Sequence, residues 1–113
     1  MKIMKSFVTV ALLLALCLSL VACSVSKEDV VGTWTGSWTY NGNSYVEAIV
    51  LSENGTYASA MYKNGSYYKT ETGTYEISGR RVELHPNGEK GHTTPYEYKG
   101  GKLVNNDHEF TKK

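Results

Sequence analysis

Three histidines, a set of glutamates and two cysteines are the side chains through which this sequence could do chemistry. His85, His92 and His108 are its only imidazoles, and imidazole is a common ligand for zinc or copper. His108 stands between Asp107 and Glu109 and could in principle share a metal with His92. No two histidines are spaced i, i+2 or i, i+4, however, the separations that bring two rings to one face of a strand or helix. They are expected as solvated surface residues, and no metal or cofactor is expected. Glu47, Glu71, Glu76, Glu83 and Glu97 could supply the paired carboxylates of glycoside hydrolysis. Acids at alternate strand positions are also what the wet face of a barrel displays, and that is the expectation here. With no Gly-x-Ser-x-Gly elbow and no phosphate loop in the chain, no catalytic residue is assigned and no enzyme is expected.

The cysteines belong to a different chemistry. Lys2 and Lys5 precede an apolar run from Phe7 to Val21, broken only by Thr9 and Ser19. The run suits a signal-peptide core and falls short of the ~18 residues a membrane-spanning helix needs. It ends in Leu20-Val21-Ala22-Cys23, which resembles the lipobox of bacterial lipoproteins. The resemblance implies cleavage before Cys23 and a diacylglyceryl anchor on its sulfur. Two acyl chains are what stable attachment requires. Residues 1–22 are thus expected as a signal peptide, 23–29 as a lipidated N-terminus and short spacer, and 30–113 as the working domain. The expected location is the cell membrane or outer membrane, facing away from the cytoplasm. Cys17 is lost with the signal, so no thiol remains for a disulfide, a zinc site or a nucleophile.

The mature chain would have 91 residues, with 10 basic against 11 acidic side chains. No charge run favours nucleic acid. One small domain is expected, with a modest core. That core must lean on aromatics, because the mature part has nine Tyr and two Trp but only three Leu and two Ile. Tyr67 and Tyr68 are adjacent and must point to opposite faces of a strand, so some tyrosines face outward. Trp38, Tyr40, Tyr57, Tyr62 and Tyr68 are the candidate contacts for a ligand or partner.

The elements that would carry these residues are strands. After one helical turn capped by Ser26, Gly32 to Tyr40 alternates strictly, with Trp34, Gly36, Trp38 and Tyr40 on one face. Asn41-Gly42 signals a hairpin. Further strands read as Ser44–Ser52, Thr56–Tyr62, Tyr67–Ile77, Arg81–His85, Thr93–Tyr98, Lys102–Val104 and Glu109–Lys112. Ala48 to Leu51 is continuously apolar, which suggests cover on both faces. Gly73 inside a strand suggests a bulge or bend. The fold class is all-β, an up-and-down antiparallel barrel or half-barrel of about eight short strands whose closure removes exposed edges.

Gly32-Thr33-Trp34, Leu51-Ser52-Glu53-Asn54-Gly55-Thr56-Tyr57 and Gly73-Thr74-Tyr75-Glu76-Ile77 carry a second resemblance. They are similar to the lipocalin-like lipoproteins of bacteria over roughly Val30 to Phe110. The N-terminal barrel of the lipoproteins that signal copper and adhesion stress is also similar, but its Cys-x-x-Cys pair is missing here, so that role is not carried over. An eight-stranded barrel is just wide enough to be filled by side chains or to hold one small ligand, and bulky inward Trp and Tyr favour a filled interior. The function implied is non-enzymatic binding of a small molecule, a glycan or an envelope protein by a membrane-anchored barrel. Two alternatives stand beside it. One is inhibition of a lysozyme-type wall hydrolase through loop Pro86–Gly91, with Lys90 or His92 inserted. The other is a structural or stress-related surface lipoprotein without a discrete ligand.

Overall fold

The computed structural model describes residues 25–89 and 91–113. Cys23 and Lys90 lie outside the described residues. A four-residue helix α1 (Lys27–Val30) leads into eight strands: β1 (Gly32–Tyr40), β2 (Asn43–Leu51), β3 (Thr56–Lys63), β4 (Ser66–Ser78), β5 (Arg81–Pro86), β6 (Thr94–Lys99), β7 (Lys102–Asn105) and β8 (His108–Lys112). Each pairs antiparallel with the next, and β8 returns to β1, so the barrel is closed. The all-β up-and-down expectation holds.

Local chemistry sets the register. Asn41-Gly42 and Asn64-Gly65 are two-residue turns with positive φ at every position, 50° and 77° in the first and 51° and 83° in the second. Asn and Gly tolerate that conformation, and its twist matches the flanking strands. Tyr40 therefore faces Asn43, and Lys63 faces Ser66. From there strict alternation points Trp34, Gly36 and Trp38 into the barrel opposite Ile49, Glu47 and Tyr45.

The two ends of the barrel differ. At one end α1 plugs the opening. Val30 is fully buried, and its carbonyl accepts a 2.8 Å hydrogen bond from the Trp34 indole N–H. The Val25 amide donates to the Gly79 carbonyl in the β4–β5 turn at 2.9 Å. Lys112 Nζ lies 3.3 Å from the Glu28 and Asp29 carbonyls, a cation at a helix C-terminus. The Ser26 amide and hydroxyl both donate to the Asp29 carboxylate, at 3.2 and 2.9 Å. Above this plug sit Leu51, Val82, Leu103 and Phe110, all buried.

At the other end, β1 to β4, 8 to 13 residues long, rise above β5 to β8, which have 4 to 6. The mouth thus has a tall wall and a short one. The seam between β1 and β8 has two register pairs, Trp34 with Lys112 and Thr35 with Thr111, and the Lys113 amide donates to the Thr33 carbonyl at 2.9 Å.

Three expectations need correcting. Ala48 to Leu51 is covered on one face only: Ile49 and Leu51 are buried while Val50 is 41% exposed, because no second layer of the described residues stacks on this wall. The bulge is not at Gly73 but between Met61 and Tyr62, where the β3–β4 register steps past Tyr68. And the interior is filled only in its lower half; above the core is a cavity of about 220 Å³.

Candidate functional site

The cavity follows from which inward side chains are small. Gly36, Ser59 and Gly73 occupy inward positions of β1, β3 and β4. Phe110 fills the space beside Gly36, and the Tyr57 ring fills that beside Gly73. Nothing comparable compensates for Ser59, which lines the cavity together with Ile49, Met61, Leu84, Tyr96 and Phe110. The volume is well above the ~30 Å³ share of one water and similar to cavities that take a benzene-sized guest.

Two carboxylates point into this space. Register pairs Glu47 with Met61 and Ser59 with Glu71, placing both acids on the inner face and one layer apart. The Tyr57 hydroxyl donates to Glu71 Oε1 at 2.7 Å. Glu47 is pushed up from 4.5 to about 7, chiefly by burial and then by the charge of Glu71, with Lys69 pulling the other way. Tyr96 is raised by burial and then by Glu47 and Glu71, and Tyr57 is raised by burial and by its bond to Glu71. The field inside is therefore negative, with Lys69 the one cation lining the cavity among the described residues. The acids expected on a wet outer face are, for Glu47 and Glu71, inside.

Burial of Glu47 makes stability depend on pH. Folded Glu47 keeps its proton until about pH 7, whereas its ordinary value is 4.5. The folded state thus binds more protons across that window, and stability must fall as pH rises through it. Screening by water in an open cavity holds the effect to about 1–2 kcal/mol. Glu47→Gln is expected to remove that slope, seen as urea midpoints at pH 5 and pH 8 that converge relative to the parent protein.

Aromatic rings frame the mouth. Trp38 stacks on His108 at 4.2 Å between centroids and on Tyr45 at 5.9 Å. The first contact spans the β1–β8 seam from inside. Tyr45 meets Tyr68 edge-on at 6.1 Å. Lys63 Nζ lies 5.6 Å from the Tyr68 ring centre and Lys69 Nζ 6.0 Å. The rim already demonstrates a chemistry: ring faces here receive cations.

Of the candidate contacts read from sequence, Trp38 lines the cavity, Tyr57 lies under it holding Glu71, and Tyr68 stands on the rim because the bulge turns it toward Tyr45. Tyr40 and Tyr62 are exposed and do not join them; Tyr62 makes an edge-on pair with Tyr67. Sequence reasoning missed Lys69 and Tyr45, and it weighed Glu47, Glu71 and His108 but placed them on the solvated surface. The signal existed, since Glu47 shares parity with Ile49 and Leu51, and Glu71 with Gly73 and Tyr75.

The histidines also depart from expectation. His92 is exposed, but His108 is half-buried against Trp38, and His85 is 4% exposed. Thr93 Oγ1 lies 3.1 Å from His85 Nδ1.

A family model described as a lipocalin-like domain matches residues 30–104. No curated protein and no solved structure matches the chain significantly.

Proposed function

The chain belongs to the lipocalin-like domain family, and on that premise we propose that its barrel is a non-enzymatic vessel for a small organic cation with an aromatic or other apolar body. The carrying observation is the Glu47–Glu71 pair inside a cavity walled by Trp38, Ile49, Leu84, Tyr96 and Phe110. Among the described residues two acids share that space with one lysine, so above about pH 7, with Glu47 ionised, a bound ammonium would offset the charge they leave. The apolar walls would take the body of the ligand, and the polar groups would orient it, as in most small-molecule sites. The volume limits the guest to about the size of a substituted benzene.

Anchoring through Cys23 is included in the proposal. Val25 is pinned at the plugged end by its bond to Gly79, and two residues span no more than about 7 Å. A lipid on Cys23 would hold that end at the membrane and turn the mouth outward, toward ligands arriving from outside the cell.

Calorimetric titration with benzylammonium, benzyl alcohol and benzoate at pH 8 tests the charge selection. Benzylammonium is expected to bind at least tenfold more tightly than the alcohol, with benzoate weakest. Glu71→Gln is expected to erase most of the preference. Equal affinities for the three, or a preference for benzoate, would refute the cation reading.

A further inference from the structure

On the outer wall, away from the cavity, we infer a binding site for a divalent transition-metal ion of the zinc type, formed by Glu76, Glu83 and His85. Glu76 and Glu83 face each other directly across the β4–β5 ladder, and His85 follows Glu83 by two residues on the same face of β5. One ligand atom from each lies within 4.8 Å of the others.

His85 makes this more than a pair of surface acids. Its side chain is buried, and its Nε2 atom has no hydrogen-bond partner among the described residues. That atom aims at the acids, 3.6 Å from Glu76 Oε2, too far for a hydrogen bond. A buried imidazole nitrogen without a partner costs about 1–3 kcal/mol. A cation between the three groups would give that nitrogen a partner. Thr93 Oγ1 at 3.1 Å from Nδ1 completes the arrangement. When Nδ1–H donates to that hydroxyl, the Nε2 lone pair is left for the metal, the outer-shell support typical of ligating histidines. One nitrogen and two carboxylates suit zinc, with ligand bonds of about 2.0–2.2 Å and a remaining position for water. The metal site does not depend on what the cavity binds.

The test is titration of the purified protein with zinc, followed by calorimetry and by the ¹⁵N resonances of the His85 ring. One zinc per chain is expected at micromolar affinity or tighter, with the shift on Nε2 rather than Nδ1. His85→Gln and Glu83→Gln should each weaken binding at least tenfold, and Thr93→Ala several-fold. His92→Gln should leave it unchanged. Circular dichroism establishes that each variant is folded, and Glu83→Gln, at a surface position, serves if His85→Gln is not. Absence of saturable binding, loss of binding in His92→Gln, or an unmoved His85 ring on zinc addition would overturn the inference.

Discussion

Gly73→Ala is expected to prevent the barrel from forming. A Cβ at this position would collide with the His85 carbonyl oxygen and would lie 2.8 Å from Tyr57 Cε1. The first contact is with backbone, so rotating a side chain cannot relieve it. Gly73 is also where β4 serves two neighbours, facing Tyr57 on β3 and Pro86 on β5. Relief would require opening either ladder at the point where the tall wall meets the short one. The cost should exceed about 4 kcal/mol, a large share of the 5–15 kcal/mol that holds a typical domain together. Far-ultraviolet circular dichroism and urea unfolding check it: the variant should lack a cooperative transition or unfold at much lower urea. A loss under about 1 kcal/mol would mean that the close approach at Gly73 is not what shapes the barrel.

Trp34→Ala is expected to cost about 3–5 kcal/mol, the range for emptying a large buried aromatic site. Trp34 is 1% exposed. Its ring meets Tyr98 edge-on at 6.4 Å and lies 5.9 Å below Lys112 Nζ. Its N–H holds the Val30 carbonyl, so the substitution also releases the plug. The closed end should loosen before the mouth does, giving faster amide exchange at Val31 and at position 34 than at Glu47 or Ser59 under native conditions. Trp34→Phe keeps much of the volume but not the hydrogen bond, and should lose about 1–2 kcal/mol while leaving the exchange pattern between those of the parent and the alanine variant. Uniform acceleration around the barrel in Trp34→Ala would show that the plug and the wall do not depend on this residue.

Gly73 and Trp34 also show why the fold was legible in the sequence and the site was not. Period-two alternation and Asn-Gly turns are local signals, and they placed all eight strands and the inward set of β1. What Gly73 does is not local: it makes room for a carbonyl on β5, where sequence alone suggested a bulge or a bend. The true bulge at Tyr68 carries no glycine to mark it. Glu47 and Glu71 were read as wet because an acid on a strand usually is. Their parity with Ile49 and Tyr75 pointed inward, but only closure of the barrel around Ser59 reveals a space for them. His85 was misjudged similarly. It faces outward by parity, yet it is buried, with Thr93 Oγ1 3.1 Å from its Nδ1.

The central claim is that a small cation enters the barrel and lies against Glu47 and Glu71. Its most direct measurement is a ¹⁵N–¹H titration of the protein with benzylammonium at pH 8, run in parallel on Ser59→Leu, whose larger side chain occupies the cavity. The expected result is saturable shifts at Ile49, Ser59, Glu71 and Tyr96 and at the Trp38 indole, weakening as pH falls and Glu47 gains its proton, and absent in Ser59→Leu. Shifts confined to the exposed Tyr40, Tyr62 and Tyr67, or undiminished binding in a folded Ser59→Leu protein, would contradict it.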